Sequence, residues 1–299
     1  MNEEPSHYAL NPSSDLVKRA SKVAKAESAR KGEPKFHMTE DMRRLSTPWS
    51  ISKVRAEQIQ ATDLPAGVIL DAAAGSGVQL IALTTGLKRP GLAIELDPNI
   101  GLLCAANMHI TGEGADLQRT MDRVLVGDGT DAENAIVTYW NSLREAGTRA
   151  HPPIGMLHLD PARPRDAQRH EIDEMQPALG PLLKAWANHL ETGPRGPAIL
   201  LDLSPRLNED QRSLVDATIE TTFPGIPRTW EYLSQGGGRI DRLSVWIGSL
   251  SSKEPSRCIR MGKKKIMATI EGKVAESELV SMSSPPPFGA HLTIVDPAL

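Results

Sequence analysis

A chain of 299 residues with 39% hydrophobic content and a formal net charge of −3 at pH 7 can bury a substantial core, so we expect one enzyme-sized domain with appendages. Two cysteines, Cys104 and Cys258, exclude a disulfide framework and share no close spacing with histidines that could bind a metal. No apolar run approaches the length of a membrane span and the N-terminus is polar, so we expect a cytoplasmic protein without a membrane or metal partner.

Apolar residues alternate between helix-like and strand-like spacing along the chain. Those between Leu16 and Ala24 share one face of a helix predicted at 14–30, and a second helix is predicted at 51–61. Further helices are predicted at 78–87, 98–110, 131–146, about 180–191 and 208–221, and strands at 67–71, 91–96, 123–127, 154–160, 197–203, 228–233 and 242–248. This order predicts an α/β protein with a mostly parallel sheet, in which the last two strands pair antiparallel because their connection is too short for a helix.

Two segments are basic although the whole chain is slightly acidic. Residues 18–35 hold seven Lys or Arg against two acids, and residues 253–265 hold six against one. Either segment could contact phosphate groups, as nucleic-acid-binding proteins do, or could be a solvated surface.

The first predicted strand ends at Asp71 and leads through a turn with Gly75 and Gly77 into a helix. Glycines permit a tight turn and leave room for a ligand beside the backbone. Glu95 ends the second strand, where an acid is placed to hold ribose hydroxyls. The pairing predicts an adenosine-containing cofactor; the alternative is a plain strand–turn–helix of a Rossmann-like domain.

The turn departs from the dinucleotide-binding pattern. Leu80 stands where a third glycine is required, and the turn lacks the basic residue of a P-loop. A cofactor without a pyrophosphate therefore fits better.

Asp71, Gly75 and Gly77 followed by Glu95 resemble the cofactor motif of class I S-adenosylmethionine (SAM) methyltransferases. The resemblance implies SAM as cofactor and a Rossmann-like seven-stranded methyltransferase sheet. Asp128, after the third strand, could accept a hydrogen bond from the adenine amino group or could belong to a plain Asp-Gly turn. The full set of cofactor-binding residues that the resemblance implies is Asp71, Ala73, Gly75, Gly77, Glu95, Leu96, Asp128 and Gly129.

The fourth strand ends in His158-Leu-Asp-Pro-Ala-Arg163, which resembles the Asp/Asn-Pro-Pro-aromatic motif of amino-methylating enzymes. The resemblance implies a catalytic role for Asp160, Pro161 and Arg163, with the carboxylate accepting hydrogen bonds from the target amine. Ala162 and Arg163 replace the second proline and the aromatic residue; a guanidinium can stack on a base or bind a phosphate or carboxylate. Alternatively, Asp160 caps a turn, Arg163 is a surface residue and His158 belongs to the core.

A narrower resemblance covers about residues 45–299. Motifs at 159–163, 202–206, 233–239 and 289–299 look like those of archaeal and bacterial methyltransferases with a THUMP-like C-terminal domain, and the Thr-Pro segment at 47–56 also looks like that of trimethylguanosine-synthase-type RNA methyltransferases. We therefore expect a helical N-terminal extension at 1–61, a SAM-binding domain at 62–250 and a short THUMP-like region at 251–299.

The expected function is transfer of a methyl group from SAM to a base in RNA, with tRNA and rRNA not distinguished and the oligomeric state open. One alternative is methylation of a small molecule or a protein amine. The other is a non-catalytic SAM-binding protein that tethers RNA.

Overall fold

The computed structural model describes residues 6–112, 120–161, 172–236, 239–263 and 265–273. The strands are β1 (Tyr8–Leu10), β2 (Ala26–Ser28), β3 (Lys35–His37), β4 (Val68–Asp71), β5 (Gly91–Glu95), β6 (Arg123–Val126), β7 (Ile154–Leu159), β8 (Thr192–Gly193), β9 (Gly196–Leu203), β10 (Arg228–Ser234), β11 (Arg242–Gly248), β12 (Ser256–Met261) and β13 (Ile266–Gly272). The helices are α1 (Ser14–Val23), α2 (Glu40–Leu45), α3 (Trp49–Gln60), α4 (Val78–Leu87), α5 (Pro98–Gly112), α6 (Ala132–Glu145), α7 (Leu179–Trp186) and α8 (Glu209–Thr222).

The centre of the main sheet has the strand order β6-β5-β4-β7-β9-β11-β10. The first five are parallel, whereas β11 runs antiparallel to both β9 and β10. These are the seven predicted strands, and the predicted α/β Rossmann-like fold with an antiparallel closing strand is confirmed.

Further strands extend this sheet at both ends. The N-terminal β1 pairs antiparallel with β6, and at the other end β12 pairs parallel with β10 and is followed by β13. Residues on both sides of the expected domain boundaries at 61 and 250 thus contribute to one sheet. The boundaries themselves stay predictions, and the C-terminal motif at 289–299 lies outside the described residues.

Helices cover both faces of the sheet, as the fully buried strands require. One face packs against α6, α7 and α8 through a core that includes Leu70, Leu157 and Trp186. The other packs against α1, α3, α4 and α5 and includes an apolar row formed by Ile69, Met156, Leu200 and Trp246. Side chains alternate along a strand, so residues two positions apart lie on the same face. Asp71, His158 and Asp202 therefore follow Ile69, Met156 and Leu200 on this face, nearer the carboxyl ends of the strands.

The helix predicted at 14–30 is wrong beyond Val23. Leu16 and Ala20 bury the helix face, whereas Val23 is half exposed, so the apolar stripe ends there. Residues Ala26–Ser28 instead pair antiparallel with Lys35–His37. Backbone pairing across a short turn therefore replaces the last predicted helical turns.

Candidate active site at the carboxyl edge of the sheet

The carboxyl ends of β4, β5, β6, β7 and β9 meet at one edge, where ligands of open α/β sheets bind. This edge brings together the glycine turn, Glu95, Asp128 and Asp160. The strand order places the turn after β4 between Glu95 on β5 and Asp160 after β7.

The glycine turn is built for close approach on both its sides. Gly75 and Gly77 have φ angles of 53° and 75°, in the left-handed region that favours glycine. A Cβ on Gly77 would lie 2.6 Å from Cys104 Sγ, so this glycine lets the turn pack on α5. A Cβ on Gly75 would meet no atom within 4 Å, so the space beside Gly75 is open to a ligand.

Glu95 is fastened to the glycine turn. Its Oε2 accepts a 2.9 Å hydrogen bond from Gly75 N–H, and its Oε1 accepts a 3.1 Å bond from Asp97 N–H. Burial raises the pKa of Glu95, and these backbone donors partly offset that effect. Each oxygen retains acceptor capacity, because a carboxylate has about four lone-pair positions. Leu96, directly after Glu95, is 71% exposed and presents an apolar surface.

The loop after β6 lies next to the glycine turn. Asp128 Oδ1 accepts two 2.8 Å hydrogen bonds, from the backbone and the hydroxyl of Thr130, as the plain-turn interpretation expects. Its Oδ2 has no hydrogen bond among the described residues, so the adenine contact stays a prediction. Gly129 packs against the carbonyl of Ala72, where a Cβ would clash.

Asp71 is buried and turned into the protein. Its Oδ2 lies 2.9 Å from His158 Nδ1, and its Oδ1 accepts a 3.3 Å hydrogen bond from Ala73 N–H, in the first turn after the strand. Asp71 therefore supports the turn that carries Ala73 and Gly75. Direct cofactor contacts by Asp71 and Ala73 stay predictions.

Asp71, His158 and Asp202 form a buried polar row across the sheet, on the same face as the apolar row and nearer the carboxyl ends of the strands. His158 has Asp71 at Nδ1 and Asp202 at Nε2, the latter at 3.2 Å. Burial lowers the pKa of His158, but the two carboxylates outweigh burial and raise it to about 10. Because both ring nitrogens face acceptors, the ring can donate to both only when it is doubly protonated.

Asp202 is held by three donors. Its Oδ2 accepts a 2.6 Å hydrogen bond from Arg55 Nη1 and also faces His158 Nε2. Its Oδ1 accepts a 2.7 Å hydrogen bond from Ser244 Oγ. Burial alone raises the pKa of Asp202, but Arg55 and His158 hold it below its usual range. The carboxylate is therefore charged and fully compensated.

Asp160 is joined to this row through Gln79. The Gln79 side chain donates from Nε2 to Asp160 Oδ2 at 2.7 Å and accepts from Arg55 Nη1 at 2.8 Å. Asp160 is an exposed residue at the strand end, and its carboxyl group lies beside Gln79. Desolvation of the carboxyl group, and then the negative charge of Asp202, raise the pKa of Asp160 above its usual range. Its Oδ1 has no hydrogen bond among the described residues.

Pro161 is buried directly after Asp160 and fixes the backbone where the chain leaves the strand. Arg163, predicted to act beside it, lies outside the described residues, as does Ala162.

Three residues that hold this site were not singled out from the sequence: Arg55, Gln79 and Ser244. Gln79 interrupts an apolar stretch of α4, and that signal is readable in the sequence, whereas Arg55 stands among other polar residues of α3 and gives no such signal. Their shared partners are not readable in the sequence, because Arg55 and Asp202 are 147 residues apart.

The arrangement places a hydrogen-bond-accepting carboxylate, Glu95, and a carboxyl group with a raised pKa, Asp160, on either side of the turn that carries Gly75. In the described part of the chain, no group of three His, Cys, Asp or Glu side chains could hold a metal ion, and no helix has the length and apolar character to cross a bilayer.

Solved structures of similar fold include several methyltransferases. A precorrin-6y C5,15-methyltransferase from Geobacter metallireducens is 14% identical, with 73% of this chain and 94% of that chain covered and a TM-score of 0.43. A putative class I SAM-dependent methyltransferase from Listeria monocytogenes is 16% identical, with 72% and 63% covered and a TM-score of 0.43. An O-methyltransferase from Bacillus cereus is 14% identical, with 80% and 93% covered and a TM-score of 0.39. No protein-family model and no curated protein sequence matches the chain.

Proposed function

We propose that this chain is a SAM-dependent methyltransferase. The observation that carries the proposal is the placement of three features on adjacent strand ends: Glu95 bonded to the glycine turn, open space beside Gly75, and Asp160 on the other side of the turn. An acid at the second strand suits ribose hydroxyls. The carboxylate on the opposite side suits the group that receives the methyl.

Methyl transfer from SAM is an in-line displacement at the methyl carbon. The acceptor nitrogen uses its lone pair to form the new bond while the carbon–sulfur bond breaks and its electrons return to sulfur. The positive charge moves from sulfur to nitrogen, which then loses a proton. Such a step depends mainly on positioning. Asp160, held by Gln79 and with a raised pKa, suits orientation of the amine and acceptance of the proton.

We infer that the acceptor is a base in RNA. Because β12 runs parallel to β10 and β10 parallel to β9, the carboxyl end of β12 lies at the edge that carries Asp160. The exposed Lys263 and Lys265 follow that end directly. The lysines at the end of the basic segment 253–265 therefore add positive charge to the edge that carries the candidate site, as phosphate contacts require. The choice between tRNA and rRNA, and the THUMP-like character of 251–299, rest on the resemblance alone.

The deciding experiment measures transfer of labelled methyl from SAM to total RNA, protein and metabolite pools. We expect label in RNA with the wild-type chain and not with Asp160→Ala. Label in protein or metabolites would assign one of the other acceptors, and SAM binding without transfer to any pool would indicate a tethering protein.

A second measurement follows RNA affinity against salt concentration. Replacing Lys263, Lys264 and Lys265 by Gln should flatten the salt dependence, because fewer counterions are released on binding. The matched control replaces Arg144 and Arg149, which lie at and beyond the C-terminal end of α6, the end that runs away from the site edge. RNA affinity that does not change with salt would argue for a small-molecule acceptor.

A further inference from the structure

Arg242 is placed at the edge of the candidate site by the reversed direction of β11. It is the first residue of that strand and pairs with Leu233 near the end of β10, so it lies at the carboxyl edge of the parallel strands. Because side chains alternate, Arg242 lies on the same face as Ser244, which bonds Arg55 and Asp202. Its guanidinium is therefore on the side of the sheet that carries the buried polar row.

Within the described part of the chain, no side-chain acceptor pairs with the guanidinium of Arg242. Its Nε is buried without a hydrogen bond there, and its Nη1 donates to the backbone carbonyl of the preceding Asp241 at 3.1 Å. Asp160 and Asp202 are close enough for their charges to act on Arg242, yet no ion pair or hydrogen bond joins them to it among the described residues. A half-buried cation with an unused donor is costly for the free protein.

The neighbouring acids have other partners. Asp202 receives bonds from Arg55 and Ser244 and faces His158. Asp160 receives the amide of Gln79 at Oδ2, which leaves its Oδ1 for the methyl acceptor that we assign to this site.

We propose that Arg242 binds a phosphate group of the methyl acceptor. The fork of N–H donors in a guanidinium matches two phosphate oxygens. The inference rests on the proposed function, since it identifies the acceptor of that site as a phosphate-bearing molecule.

The test compares Arg242→Gln and Arg242→Lys with the wild-type chain and with Arg144→Gln, an exposed arginine on α6. Affinity for a short single-stranded RNA is measured at several salt concentrations, together with SAM affinity and the melting temperature. We expect Arg242→Gln to weaken RNA binding about 10- to 100-fold, the usual range for a charge-assisted hydrogen-bonding group. Arg242→Lys, which keeps the charge and loses the fork, should fall between.

Two further readouts separate ligand binding from a structural role. Because the free guanidinium is poorly paired, Arg242→Gln should keep or raise the melting temperature and leave SAM affinity unchanged. Inorganic pyrophosphate should raise the melting temperature of the wild-type chain more than that of Arg242→Gln. RNA binding equal to wild type, or a lower melting temperature with RNA and SAM affinity lost together, would overturn the inference.

The two proposals fail differently. If the wild-type chain binds no RNA at low salt but pyrophosphate still stabilises it through Arg242, the phosphate site is supported and the acceptor is a small phosphorylated molecule. If RNA is methylated and Arg242→Gln binds it like the wild type, the methyltransferase proposal stands and the role of Arg242 is wrong.

Discussion

His158 Nδ1 lies 2.9 Å from Asp71 Oδ2, and both side chains are buried at the end of neighbouring parallel strands. With Asp202 at the other ring nitrogen, the imidazolium compensates carboxylates on both sides of it. It thereby joins the strand that carries the glycine turn to the strand that carries Asp202. The ring can donate a hydrogen bond to both carboxylates only when it is doubly protonated, so this arrangement requires a positively charged His158.

Replacing His158 by Gln should destabilise the fold by about 3–5 kcal/mol, the usual cost of removing one partner from a buried ion pair. The pKa of His158 rises from about 6.5 to about 10 on folding. Its stabilising effect is therefore complete below about pH 6.5 and is lost as the pH rises through about 10. Urea unfolding of wild type and variant across this range measures both effects.

The matched control is His151→Gln, an exposed histidine that stacks on Trp140. It should leave the alkaline decline in stability intact. If His158→Gln shows the same decline as the wild type, the charge on His158 has been misassigned.

Gly75→Ala should weaken SAM binding more than it weakens the fold. The left-handed backbone at Gly75 costs a non-glycine residue about 1–2 kcal/mol, and the added methyl group enters space that we assign to the ligand. Gly225 is the matched control, because it also has a positive φ and open space, in the turn before β10. The two variants should lose similar stability, measured by urea unfolding, and only Gly75→Ala should lose SAM affinity, measured by calorimetry. Equal SAM affinity in both variants would mean that the ligand lies elsewhere.

Most of the seven central strands were predictable because they contain apolar runs long enough to be buried on both faces. The exception is β10, which mixes Trp230, Tyr232 and Leu233 with polar residues. By contrast, β13 is mostly exposed, without a regular alternation of buried and exposed residues, and pairs with its neighbour β12, so its local pattern is weak. The same holds for β2 and β3, whose pairing replaced the end of the predicted first helix. Tertiary contacts decide these edge elements.

The site was predictable where function depends on position along the chain. Glu95 and Asp160 end their strands, and the carboxyl ends of parallel strands must meet at one edge. Arg55, Gln79, Ser244 and Arg242 depend instead on which side chains meet across helix and sheet. Ser244 and Asp202, for instance, are neighbours only because β11 pairs antiparallel with β9.

Glu95→Ala should weaken SAM binding by about 1.5–3 kcal/mol, as expected when a charged hydrogen-bonding group is lost. Glu95→Gln keeps an acceptor for the Gly75 N–H and should lose less, so the pair separates support of the turn from contact with the ligand. Calorimetry with purified protein measures both, with Glu145→Ala, an exposed residue at the end of α6, as control. Unchanged SAM affinity, or tighter binding of NAD than of SAM, would contradict the assignment of the cofactor.

Asp160 carries the last prediction, which concerns the chemical step. Asp160→Ala should leave SAM affinity near that of the wild type and lower the methyl-transfer rate by about 10²–10⁴-fold, the usual effect of removing a positioned proton acceptor. Because the pKa of Asp160 is raised, the wild-type rate should increase as the pH passes through that pKa and the carboxylate forms. Single-turnover transfer of labelled methyl, measured against pH, provides the test.

Asp160→Asn separates the two roles of this carboxyl group. The amide oxygen can still accept hydrogen bonds from Gln79 and from the acceptor amine, but it is a poor base. The variant should not be less stable at neutral pH, because a carboxyl group whose pKa rises on folding loses its contribution to stability as it ionises. An active Asn variant without the acid limb of the pH profile would indicate positioning alone, whereas a loss equal to that of Asp160→Ala would indicate a base. Full activity of the Ala variant on the correct acceptor would remove Asp160 from the mechanism.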